Sequence, residues 1–121
     1  MGWRIPAQIL NVASAKQQQL TSTSQTTIAT FTPITLSFFV CFISLTITNA
    51  ATAVTVKVTY QNPVTASLET VTLLNSQTLD VEDHLQIPCN VLATAGAPIS
   101  ILVTAGTANN VYATASIFQI V

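Results

Sequence analysis

The sequence predicts an all-β protein: an antiparallel β-sandwich or jelly roll of seven to eight strands with an extended N-terminal arm. Three observations predict it. Twenty threonines accompany nine serines, and the branched Cβ of threonine suits a strand better than a helix. Short apolar runs are separated by turn signals about every 8–15 residues, the spacing of sandwiches and jelly rolls. No ten-residue window carries a 3.6-residue apolar period.

Half of the 121 residues are apolar, enough for one domain with a real core. Only 6% are charged, against roughly 25% in an average soluble domain. The three basic residues, Arg4, Lys16 and Lys57, are widely spaced, and the net charge is −1. That set cannot neutralise a phosphate backbone, so nucleic acid is not an expected partner. A Thr/Ser/Asn/Gln surface is wet but does not repel copies of itself. It suits a subunit covered by its neighbours.

Residues 1–12 read as an apolar arm, with Trp3, Ile5, Ile9, Leu10 and Val12 as its large side chains and Pro6 interrupting any helix. Residues 13–25 read as a polar linker that allows a short helical turn at 13–20. Residues 26–121 read as the sandwich. Strands are predicted at 26–32, 36–48, 53–60, 66–74, 77–81, 84–93, 99–104 and 111–121. The clearest is 53–60, where Val54, Val56, Val58 and Tyr60 alternate with Thr55, Lys57 and Thr59. A phase shift between Leu68 and Val71 predicts a bulge or bend. Pro88 marks an edge or bulge.

Residues 34–60 decide between lipid and core, because no charged residue lies between Lys16 and Lys57. A membrane span needs about 20 mostly apolar residues. Here the unbroken run is Phe38 to Ile43, with Ser or Thr every second or third position around it. As the core of a signal peptide it would start far from the N-terminus. The period instead predicts two central strands of a sandwich, and no membrane span. Leu36, Phe38, Val40 and Phe42 share one strand face, whereas Ile43, Leu45 and Ile47 continue in the opposite phase. That predicts a bulge where the strand bends or changes sheet.

Little catalytic chemistry is visible. The acidic run Asp80, Glu82, Asp83 and His84 reads as a solvated turn rather than a metal or acid–base site. Cys41 and Cys89 lack metal or redox spacing and read as small buried residues, with a disulfide left open. Lys57 and Glu69 lie on neighbouring candidate strands and are placed to pair. No nucleophile elbow, phosphate loop or paired carboxylates occur. No enzyme activity, cofactor, metal or small-molecule substrate is expected.

The arm is the functional clue. Each large apolar side chain gains about 1.5–3 kcal/mol on burial, so the arm needs a dock. A linker of this length spans up to about 40 Å, enough to reach another copy. Strand addition to a neighbour would build a ring or a filament. Trp3, Ile5, Ile9, Leu10 and Val12 are therefore the candidate subunit-interface residues, and copies of the chain itself the expected partner.

Residues 93–117 (ATAGAPISILVTAGTANNVYATASI) and 56–63 (VKVTYQNP) carry a resemblance in style. The sequence resembles the self-assembling jelly-roll subunits of bacterial endospore appendages, which are linked by N-terminal extensions. It also resembles the small decoration proteins of tailed-phage virions. The first resemblance implies a structural subunit of an extracellular fibre on a cell or spore surface. The second implies a closed oligomer on a capsid, in a virion. Some appendage subunits carry arm cysteines that cross-link copies, and this arm has none. A carbohydrate-binding sandwich is a third reading. It would need exposed aromatics, for which Tyr60, Tyr112, Phe118 and Trp3 are the candidates.

Overall fold

The computed structural model describes residues 8–121, which form eight strands and no helix. They are β1 (Ile9–Gln19), β2 (Thr26–Phe31), β3 (Ser37–Ile47), β4 (Thr52–Gln61), β5 (Leu68–Leu79), β6 (His84–Ala93), β7 (Ile99–Ala105) and β8 (Val111–Ile120). Two antiparallel four-stranded sheets result, ordered β1-β8-β3-β6 and β2-β7-β4-β5. The pairs β1–β8, β2–β7, β3–β6 and β4–β5 nest like the arms of one long hairpin. Every connection except β4–β5 crosses between sheets. That winding is the jelly roll.

Period-two burial explains why these residues form these strands. In β3, Phe39, Cys41, Ile43, Leu45 and Ile47 are all buried; in β4, Val54, Val56 and Val58 are. Ile99, Ile101 and Val103 of β7 and Ile117 of β8 complete a single core. β8 also turns Ala113 and Ala115 inward, small residues that let larger neighbours interdigitate. β3 and β4 are interior strands of opposite sheets, as the period of residues 34–60 predicts. Asn49 turns the chain between them at φ 69°, a left-handed conformation that Asn tolerates better than most residues. Between β7 and β8, the Gly106 N–H donates to the Ala53 carbonyl at 2.7 Å. A side chain there would meet that carbonyl at 3.3 Å, so the close approach favours glycine.

Five sequence expectations need correction. First, β3 does not switch phase. Its odd-numbered series is apolar without a break from Phe39 to Ile47 and faces inward throughout. Phe38 and Phe42 are therefore on the outside. Second, the sandwich begins at Ile9, not at residue 26. Residues 9–19 form β1, hydrogen-bonded along β8, and the turn allowed at 13–20 is extended chain. The edge of a sheet demands little apolar side chain, so Lys16, Gln17, Gln18 and Gln19 fit it without an apolar signature. Register shifts at Val12 and around Gln17, whose φ is 45°, distort this edge.

Third, the segment read as linker contains Leu20, which is fully buried. Its N–H donates to the Val111 carbonyl and its own carbonyl accepts from Asn109, so it plugs one end of the sandwich. Fourth, residues 66–74 and 77–81 are one strand, β5. The irregularity lies near residues 72–77, with Ser76 at φ 49°, rather than between Leu68 and Val71. Fifth, Lys57 pairs with Thr72 and Glu69 with Tyr60. An odd offset along a ladder puts the two charges on opposite faces. Glu69 instead accepts from the Thr65 hydroxyl at 3.2 Å.

Phe39→Ala should cost about 3–5 kcal/mol in urea unfolding, whereas Phe42→Ala should change stability by less than about 1 kcal/mol. Equal losses would mean that β3 does switch phase. The Thr52 hydroxyl is buried without a hydrogen-bond partner. Thr52→Val should therefore be neutral or stabilising by about 1 kcal/mol, read as an unchanged or raised Tm.

Candidate interaction face

Cross-strand partners point to the same face of a sheet, so the register reads the outer face of β1-β8-β3-β6 row by row. The first row is Ile9, Ile120, Phe38 and Leu92. The second is Asn11, Phe118, Val40 and Asn90, and the third is Ser14, Ser116, Phe42 and Pro88. Below these the face becomes polar, with Thr114, Ser44 and Gln86, then Tyr112, Thr46 and His84. The outer face is thus apolar at one end and hydroxyl-rich at the other.

The apolar end is open. Ile9 is 67% exposed, Phe38 58% and Phe42 48%. The rings of Phe42 and Phe118 meet edge-on, with centroids 6.0 Å apart and planes at 77°, a favoured arrangement. Two shallow depressions of about 350 Å³ flank the pair. One is bounded by Ser44, Gln86 and Thr114, the other by Ile9 and Val40. β3 and β8 carry no charged residue, so covering this end strands no ion in a dry interface. Half-exposed Phe and Ile side chains each stand to gain roughly 1 kcal/mol on being covered.

The chain enters the sheet at this same end. Gln8 and Val121 exchange backbone hydrogen bonds of 2.9 and 2.8 Å, immediately beyond the row of Ile9 and Ile120. Of the five interface residues predicted from sequence, Trp3 and Ile5 lie outside the described residues. Ile9 belongs to the first apolar row. Leu10 is opposite Gln119, on the other side of β1, and Val12 sits at a bulge and packs against the core. Phe38, Val40, Phe42 and Ile120 were not predicted as surface residues, and Phe118 was considered only as an exposed aromatic for carbohydrate binding. The unbroken odd series in β3 is the signal that places Phe38, Val40 and Phe42 outside. Among the aromatics considered for carbohydrate binding, Tyr60, Tyr112 and Phe118 are only half-buried.

Elsewhere polar groups serve the fold. The Asp83 carboxylate accepts from the Asp80 N–H at 2.7 Å, closing the turn in which Glu82 has φ 77°. No group of three or more His, Cys, Asp or Glu side chains converges among the described residues. Among the described residues no helix is long and apolar enough to cross a membrane. Cys41 and Cys89 are ladder partners on the inner face of β3 and β6, and both are free thiols. Burial, and secondly the neighbouring Cys89, push the Cys41 thiol up from 9.0 to about 12; burial also raises Cys89.

These shifts have a sign. The folded chain holds its thiol protons more tightly than the unfolded chain. The resulting stability is complete below the unfolded value of 9.0 and is lost as pH rises toward 12. Unfolding midpoints should fall across that alkaline window, and Cys41→Val should flatten the fall. A thiol reagent at neutral pH should label neither cysteine until the protein is unfolded; rapid native labelling would contradict their burial.

No protein-family model and no curated protein matches the chain. Solved structures share its fold. The VP2 subviral particle of infectious bursal disease virus superposes with a TM-score of 0.58 at 10% identity, over 95% of this chain and 32% of that one. The Gx strain structure of the same virus gives 0.61 at 9% identity, over 95% and 32%. A Clostridium thermocellum xylanase 10B fragment with CBM22-1 and GH10 modules gives 0.49 at 8% identity, over 91% and 28%. The chain spans about a third of the length of the viral structures it matches. At these identities the viral likeness supports the jelly-roll fold.

Proposed function

We propose that the chain is a structural subunit that assembles with copies of itself into an extracellular fibre or appendage, its N-terminal segment docking on a neighbouring subunit. The observation that carries this reading is the open apolar end of the β1-β8-β3-β6 face, beside the point where the chain enters the sheet. Exposed apolar clusters of this kind are common at protein-binding surfaces. A chain with 6% charged residues offers little electrostatic resistance to contact between copies. Catalysis is not part of the proposal.

A virion protein forming a closed oligomer on a capsid is the second reading. The jelly roll shared with the VP2 particle of infectious bursal disease virus is the observation that favours it. Either way the role is structural and the partner includes other copies of the chain.

The informative truncation removes residues 1–7 only, because a cut at residue 12 would remove part of β1. Purified full-length protein should form fibres in negative-stain micrographs, and the truncated protein should sediment as a small species. Closed particles would favour the virion reading. Unchanged fibres after truncation would overturn docking by the N-terminal segment.

A further inference from the structure

We infer that the apolar end of the outer β1-β8-β3-β6 face is the receptor for residues 1–7 of a second copy, with Trp3 and Ile5 seated around Phe38, Phe42 and Phe118. The inference rests on the proposed self-assembly and names the surface that self-assembly uses.

Size selects the kind of occupant. The patch is three residue rows long and four strands wide, about 20 Å each way at strand spacings of about 4.8 Å and row spacings of about 7 Å. Its area is thus about 400 Å², the size of the largest apolar patch on a typical monomer, which is often functional. A stable contact between two folded bodies needs about 800 Å² per partner. The patch is too small for body-on-body packing by itself. It is the right length for a short extended segment, since seven residues span about 23 Å.

Chemistry selects this segment. In an extended chain alternate side chains share a side. Met1, Trp3, Ile5 and Ala7 then fall on one side, and Gly2, Arg4 and Pro6 on the other. That is one apolar side for an uncharged, largely apolar patch, with Arg4 on the opposite side.

Chain direction selects a second copy. Residues 9–19 run from the apolar end of the face toward its polar end. A segment that continued the line of β1 back from Gln8 would therefore point past the apolar end, away from its own patch. Returning over that patch needs a reversal of about four residues, which would place Ile5 in the turn and leave only Met1 to Trp3 to cover the face. In a segment extended onto a neighbouring body beyond that end, Met1, Trp3 and Ile5 would all be available to face the patch. The contact is then heterologous and propagates from copy to copy.

The sequence contains one tryptophan, Trp3, so fluorescence of the full chain reports on the segment directly. Emission should shift to the blue as concentration rises, in step with particle growth followed by light scattering. Phe42→Ser and Phe38→Ser should each raise the concentration at the midpoint about tenfold or more. Thr46→Ser, at the polar end of the same face, should leave it unchanged. Trp3→Gln should raise the scattering midpoint in the same way. Unchanged melting curves would show that the variants fold. A blue-shifted emission that is independent of concentration would overturn the inference in favour of a segment lying on its own body. Normal assembly by the Phe42 and Phe38 variants would overturn the receptor while leaving self-assembly standing. Absence of particles at every concentration would overturn self-assembly itself, and the inference with it.

Discussion

The odd-numbered side chains of β3 must all be buried, and the rest of the molecule follows from that requirement. Phe39, Cys41, Ile43, Leu45 and Ile47 occupy successive inward positions of an interior strand. A slip of one residue would expose all five. With the odd series held inside, the even series is forced outside, and its first members are Phe38, Val40 and Phe42. The same ladders then bring Phe118 and Ile120 from β8 and Ile9 from β1 into line with them. The exposed apolar end is thus a consequence of the core's own register, combined with apolar residues at positions where the lower half of the same face carries Ser44 and Thr46.

Much of the fold is legible in the sequence, and the failures have physical causes. Alternation in residues 53–60 marks β4, and turn residues bracket most of the other strands. β1 is not legible because an edge strand on a sandwich gains its place through backbone hydrogen bonds to β8, and these leave no pattern in Lys16, Gln17, Gln18 and Gln19. Leu20 is a lone apolar residue in polar company, and nothing local says that it plugs the end of a core. In β3 the six-residue apolar run fills both faces at once, so period alone is ambiguous. The change from Phe42 to Ile43 looks like a change of face only if each apolar residue is assumed to be buried. Dropping that assumption turns a supposed bulge into a surface.

The candidate site was half legible for the same reason. Ile9 is in the patch, while Leu10 and Val12 serve the edge of the domain, because β1 claims residues that read as free arm. What remains available for docking is the short segment before Gln8. The near absence of charge also acquires a definite meaning. Isolated neutral surface is merely soluble, but here the uncharged strands β3 and β8 carry the exposed aromatics. Covering them requires no ion to lose its water.

An electron cryomicroscopy map of the assembled protein tests this most directly. The self-assembly described above predicts an extended stretch of density from a neighbouring copy across Phe38, Phe42 and Phe118, with a bulky side chain at the position of Trp3. A map in which that end of the face is open to solvent, or is covered by the body of a neighbour rather than by its N-terminal segment, would contradict it.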